Sequence, residues 1–261
     1  MLKNRDAYDF PAEEMNQNYE KYTEKDQKIW HILFEKQQLV LEDKASKFFL
    51  KGIDVCGFKT DAIPKVEEMN KNLLEATGWQ MYVVPGLIAD KPFFEFLSNK
   101  MFPVSTWIRS VRELEYLEEP DMFHDFYGHV PLLSNQHFVD YIQGLANLAL
   151  KHIENPYAIE LISRLYWFTI EFGLIKEDEK LKIYGAGILS SPSESFFSVL
   201  DQNVPRFRFD VRHILKTPYY KHDFQRQYFV INSYEQLYKS LESVEEILLE
   251  ELKLEPETFI D

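Results

Sequence analysis

Two histidines and one stranded carboxylate are the side chains of this sequence with the most to offer chemically. The segment EPDMFHDFYGHVPLL (119–133) holds His124 and His129, five positions apart. Imidazoles serve as metal ligands and as proton carriers. On a regular helix five steps rotate a side chain by roughly 140°, so the two rings would leave different faces. Gly128 and Pro131 offer a way around this, because glycine takes backbone angles closed to other residues and proline stops a helix. A helix that starts near Asp121 and ends near Gly128 puts His129 on the departing backbone, where its ring can turn back toward His124. Two structural histidines at a helix end would be spelled the same way. The zinc-protease pattern H-E-x-x-H does not apply, since the spacing differs and no Glu follows His124.

The second segment is LYWFTIEFGLI (165–175), an apolar helical run in which Glu171 is the one fully charged side chain. A buried, unpaired carboxylate costs several kcal/mol or takes up a proton. Two partners are open to it. Arg164, seven residues earlier, could reach it as an ion pair; a metal ion could also hold it. Trp167, one turn before Glu171, would share its face. Taken together, two imidazoles and one carboxylate make the facial triad of non-haem Fe(II) oxygenases, with positions left for oxygen and a co-substrate. Zn²⁺ accepts the same ligands, so their identity alone does not choose between an oxygenase and a zinc hydrolase.

The elements that must position these groups are helical for the most part. The chain has 261 residues, 45% of them hydrophobic and 28% charged, enough to bury a sizeable core. Thr23 and Asp26 form a capping-box pattern ahead of Ile29, Trp30, Leu33 and Phe34. A second helix is expected over about residues 36–50. A third is expected with Pro64 as its first residue and Gly78 as its stop. WQMYVVPG (79–86) and FPVSTWI (102–108) read as strands, with a helix between them from Asp90 to about Lys100. Residues 135–154 and 157–172 read as long helices. LKIYGAG (181–187) and the end of DFQRQYFVI (223–231) read as short strands, and 233–252 as an amphipathic helix. The expected fold is mostly α with short β elements (α+β), not a doubly wound sheet. No GxGxxG or GxxxxGK[ST] string occurs.

Charge and cysteine content exclude several classes. The formal net charge is −14, which removes any general attraction to nucleic acid or anionic lipid. Cys56 is the single cysteine, so neither an internal disulfide nor a cysteine-based metal cluster can form. The opening MLKNRDAYDF lacks an apolar signal region, and no run is long enough to cross a bilayer. A cytoplasmic protein is expected, with residues 1–22 as a polar lead-in.

These strings are specific enough to carry a resemblance. EPDMFHDFYGHVPLL resembles the iron-binding signature of the pterin-dependent aromatic amino acid hydroxylases, of the form E-P-D-x-x-H-x-x-x-G-H-V-P. LYWFTIEFGL followed by KIYGAGILSSPSE resembles the next two blocks of that family, in order and separation. GWQMYVVPGLI (78–88), TWIRS (106–110) and DFQRQYFVI also match, so the likeness covers roughly residues 20–235. It is greatest to bacterial phenylalanine 4-hydroxylases. The resemblance implies a single catalytic domain over 1–261 of the aromatic amino acid hydroxylase type, without regulatory or tetramerisation domain, and a monomer. It also implies Fe(2+) and a tetrahydropterin as co-substrate, with O2 and L-phenylalanine as the other small-molecule substrates and neither nucleic acid nor membrane as a partner.

Carried over position by position, the likeness assigns the iron ligands to His124, His129 and Glu171. It assigns the partner of the substrate carboxylate to Arg109, whose planar fork suits a carboxylate. Trp167 and Ser190 would line the substrate pocket. Gly86, Leu87 and Ile88 would meet the pterin through their backbone, Phe93 would stack on it, and Tyr166 and Asp125 would border it. An indole at position 167 crowds a two-ring substrate, which favours phenylalanine. A relative acting on tryptophan or forming meta-tyrosine is the nearest alternative. The chain departs from the family at Leu117, where animal enzymes carry a threonine, at Glu118, and at Lys221, near a position that is usually apolar.

Overall fold

A computed structural model describes residues 15–114, 119–221 and 223–254. Leu117 and Glu118 lie outside them, as do residues 1–14 of the lead-in. Ten α-helices and six short strands order these residues, in keeping with the expected α+β class. The first helix, α1 (Glu24–Leu41), opens with the capping box read from the sequence, Thr23 accepting from the Asp26 amide and Asp26 accepting in return. The rest of the lead-in is fastened to the body: the Tyr19 hydroxyl donates to Ile63 O at 2.9 Å and Gln17 Nε2 to Pro64 O at 2.8 Å.

The helix expected over 36–50 does not form as one piece. α1 ends at Leu41 and α2 (Lys47–Cys56) starts afresh behind a Ser46 cap. Between them the backbone pairs with a strand: Ile183 N donates to Lys44 O and Ser46 N to Ile183 O, both at 2.8 Å. Those long-range bonds outcompete helical ones that the local sequence would support. Pro64 is not the first residue of α3 (Val66–Ala76) but lies two residues before it, ahead of the Lys65 N-cap. Gly78 does end it, in a left-handed conformation with φ of 75°.

β1 (Gln80–Val83) and β2 (Met101–Val104) pair in parallel across α4 (Asp90–Ser98), in a right register of Gln80 against Met101. α5 (Gln136–Lys151) and α6 (Pro156–Tyr166) are capped by Asn135 and Asn155. The apolar run after α6 then leaves the helix. Leu174–Glu177 forms β3, which pairs antiparallel with β4 (Lys180–Ile183) and parallel with β6 (Tyr228–Ile231). β5 (Arg206–Arg208) completes a sheet in the order β4-β3-β6-β5. The short α7 (Ala186–Leu189), α8 (Pro192–Leu200) and α9 (Val211–Leu215) link these strands. α10 (Tyr234–Lys253) packs back on α5. One continuous apolar cluster runs from Ile29 to Leu248.

Contact between α2 and the turn after His129 is close enough to be tested. A Cβ on Gly52 would stand 2.0 Å from Pro131 O. Backbone cannot yield as a side-chain tip can, so Gly52→Ala is expected to lower stability by about 3 kcal/mol, against the ~1 kcal/mol that alanine gains in helix propensity. Urea unfolding of the two proteins measures the difference.

Candidate metal centre

His124 and His129 both belong to a π-helical turn, His124–His129, and not to a helix that ends near Gly128 with His129 on the departing backbone. Bonding from i to i+5 widens the winding, so residues five apart come round to the same side. Gly128 serves a different purpose from the one read in the sequence. Its φ is not positive; a Cβ there would lie 2.8 Å from Ala186 O, so the glycine lets α7 close on the turn. Pro131 follows in a 3-10 turn, Val130–Ser134.

Glu171 ends a second π-helical turn, Trp167–Glu171, that continues α6. Its carboxylate turns to the histidines: Oε1 lies 3.1 Å from His129 Nε2, Oε2 3.7 Å from His124 Nε2, and the two Nε2 atoms are 3.1 Å apart. Arg164 is not its partner, as it pairs with Glu160 and donates to Leu215 O at 2.6 Å. Metal–ligand bonds of about 2.1 Å at right angles place neighbouring donors about 3 Å apart, so this donor set fits one ion. His124, His129 and Glu171 are the one such group of three among the described residues.

The charge state suits ligation. Burial lowers His124 to about 4, so the ring is neutral. Burial pushes Glu171 up, but His129 and His124 outweigh it and hold the carboxyl below its usual range. The tautomer of His124 follows from Ser190. The Ser190 hydroxyl donates to Ala186 O at 2.9 Å, so it accepts from His124 Nδ1, also at 2.9 Å. That leaves His124 Nε2 with a free lone pair facing Glu171.

A model of the biopterin-dependent aromatic amino acid hydroxylase family matches residues 7–259. The chain belongs to this family. It is 44% identical over 224 residues to the phenylalanine-4-hydroxylase of Ralstonia nicotianae, covering 86% of this chain and 71% of that one. It is 41% identical over 233 residues to the phenylalanine-4-hydroxylase of Chromobacterium violaceum, covering 89% and 77%. A crystal structure of the Chromobacterium violaceum enzyme with bound iron(III) and oxidised 7,8-dihydrobiopterin superposes with a TM-score of 0.88, at 39% identity, over 93% of this chain and 88% of that one.

Within this hydroxylase fold the other residues singled out in the sequence fall into three places. Arg109 is buried. Its Nε and Nη2 form a two-pronged pair with Asp121 at 2.9 and 2.8 Å, and its backbone N–H donates to the same carboxylate. Asp121 is 0% exposed and also accepts from His124 N. It therefore ties the arginine to the first metal-facing histidine. Asp121 stands in the E-P-D string, but nothing in the sequence marks Arg109 as its partner. Arg109 Nη1 makes no hydrogen bond among the described residues.

Phe93 meets Tyr166 edge-on, with centroids 5.5 Å apart. Asp125 accepts from Ser105 N and Oγ at 2.7 and 2.8 Å, and burial pushes its carboxyl up to about 6. Sequence reasoning missed Ser105, which no motif marks. Gly86 and Ile88 are half-buried and Leu87 is exposed, on the loop between β1 and α4. Trp167 is half-buried, flanked by Tyr219 at 4.5 Å and Phe172 at 5.1 Å, and its indole N–H has no hydrogen-bond partner among the described residues. Lys221 Nζ lies 5.8 Å from the Tyr219 ring centre. Ser190 is spent on His124 and Ala186, and makes no hydrogen bond to Arg109.

Proposed function

We propose that His124, His129 and Glu171 hold the ferrous iron of this chain, and that Arg109, Trp167 and the pocket around Phe93 place its two organic substrates. The chain is an iron- and tetrahydropterin-dependent monooxygenase that converts L-phenylalanine to L-tyrosine with O2. The observation that carries the residue assignment is the convergence of three ligand atoms within 4.8 Å in a member of this family. When bound, the iron activates O2, so that one oxygen atom enters the ring while the tetrahydropterin supplies the two electrons that reduce the other.

The protein groups have the following tasks. Three ligands on one side leave the opposite side open to exchangeable ligands. Arg109, braced by Asp121, offers Nη1 to the amino acid carboxylate and fixes that end, so that the far end of the ring meets the ion. Trp167 walls the ring. Phe93 and Tyr166 form the aromatic side of a slot for the flat pterin, and Gly86, Leu87 and Ile88 offer backbone groups to it. Asp125, held by Ser105, borders the same slot. Ser190 acts through His124, and the substrate pocket is not its first task. Ser190→Ala is accordingly expected to weaken ferrous-iron affinity by about 10- to 100-fold, read by competition with a chelator.

No described helix is long and apolar enough to cross a membrane. A monomer in the cytoplasm is the reading that fits the acidic surface and single buried cysteine. The test of the whole reading is anaerobic reconstitution with Fe(II), followed by tyrosine release from phenylalanine in the presence of tetrahydropterin and air. Tyrosine in proportion to pterin consumed supports it. Meta-tyrosine, 5-hydroxytryptophan from tryptophan at a higher rate, or no product would overturn it.

A further inference from the structure

The loop that carries part of the DFQRQYFVI string is fastened by side-chain hydrogen bonds at its base and across its span. Between α9 and β6 the chain runs from Thr217 to Gln227. Gln227 Nε2 donates to Thr217 Oγ1 at 3.1 Å and closes the base of the loop. Further out, Gln225, 1% exposed, spans the loop with both ends of its amide. Its Oε1 accepts from Tyr220 N at 3.1 Å, and its Nε2 donates to Tyr220 O at 2.5 Å. The Arg226 guanidinium covers the Tyr220 ring at 4.4 Å. Gln225 is itself anchored, its N–H donating to the buried Glu194, which also accepts from the Tyr228 hydroxyl at 2.7 Å. A buried amide with both ends satisfied specifies one loop conformation.

The residue this fixes is Tyr219, next to Tyr220. Its ring stacks on Trp167 with centroids 4.5 Å apart and planes at 27°. Phe172 packs on the same indole, with centroids 5.1 Å apart and planes at 32°. On the side where Tyr219 stacks, the indole face is covered by that ring. The Tyr219 hydroxyl makes no hydrogen bond among the described residues, so what the position contributes is the ring.

We propose that Tyr219 is a specificity-determining residue that limits the substrate slot beside Trp167 to a single ring, and that Gln225 is the positioning residue that holds it there. This rests on the reading of Trp167 as a wall of the substrate pocket. A one-ring amino acid fits with Tyr219 in place; an indole needs the volume that Tyr219 occupies.

The test compares kcat and KM for L-phenylalanine and L-tryptophan, together with calorimetric binding of both amino acids to the Fe(II) protein without pterin. Tyr219→Ala is expected to raise KM for phenylalanine about tenfold, the loss of one aromatic stack, with kcat nearly unchanged. It is also expected to move the tryptophan-to-phenylalanine ratio of kcat/KM toward tryptophan. Tyr219→Phe keeps the ring and is expected to stay within about twofold of the parent in both measurements. Gln225→Leu, which leaves the Tyr219 ring in the chain but unlatches it, is expected to shift selectivity in the same direction as Tyr219→Ala. A merely structural role would lower kcat for both amino acids alike and leave their ratio fixed; that result, in either variant, overturns the proposal. Trp167→Ala separates the two readings. Sensitivity at Trp167 with none at Tyr219 or Gln225 overturns this proposal alone, whereas no response at any of the three overturns the pocket assignment with it.

Discussion

Glu171→Gln is expected to abolish iron retention and tyrosine formation while far-UV circular dichroism stays near that of the parent. The amide keeps the size and shape of the side chain but loses the charge that makes it a ligand. Two neutral imidazoles and one amide hold a divalent ion poorly, because nothing in the set offsets its charge. The fold should survive. Glu171 sits at the end of a π-helical turn among buried neighbours, where a neutral amide is less costly to keep than an unpaired anion. His124→Ala should do the same by removing a donor, with Ser190 left to its bond with Ala186 O. Iron content per chain after gel filtration, beside a tyrosine assay, checks both variants. Normal hydroxylation by either would show that the ligands lie elsewhere.

Asp121→Ala is expected to cost about 3–5 kcal/mol of stability and to raise KM for phenylalanine steeply. The magnitude follows from what the carboxylate does. It is fully buried, it neutralises a guanidinium that is 7% exposed, and it accepts four N–H groups, three from Arg109 and one from His124. Removing it leaves a buried cation without its counter-ion, and frees the arginine whose remaining nitrogen is the proposed anchor for substrate. Asp121→Asn retains part of the hydrogen bonding and should fall between the parent and Asp121→Ala. Urea unfolding gives the stability term and steady-state kinetics the KM. A loss under about 1 kcal/mol in Asp121→Ala would mean that Arg109 is ordered by other groups.

Local rules were enough for much of the fold. The capping box at Thr23, the left-handed stop at Gly78 and the asparagine caps of α5 and α6 need only short-range bonds, and such bonds are spelled within a few residues. The errors came where long-range pairing prevailed. Residues 44–46 leave the helix for β4, and Leu174 and Ile175 leave theirs for β4 and β6. Neither partner is visible from the local sequence. The site shows the same division. The metal-facing triad was legible, because an isolated carboxylate in an apolar run is a chemical anomaly wherever it occurs. Its supports were not: Asp121 behind Arg109, Ser105 behind Asp125 and Tyr219 against Trp167 are ordinary residue types whose meaning depends on who stands opposite.

The two π-helical turns give the site an unusual vulnerability. Each can be regarded as α-helix carrying one surplus residue, and the side chains that converge, His124 and His129 from one turn and Glu171 from the other, are delivered by that surplus. Deleting a single residue between His124 and His129 would let the backbone recover its ordinary bonds, leaving the two histidines four apart and still on one face. The segment would become a better helix and keep its histidine pair, but Gly128 and Pro131 would lose the register at which they meet Ala186 and Gly52. Residue count matters here through that packing, as residue kind matters through ligation: an in-frame loss of one codon would be felt in stability even with both histidines kept.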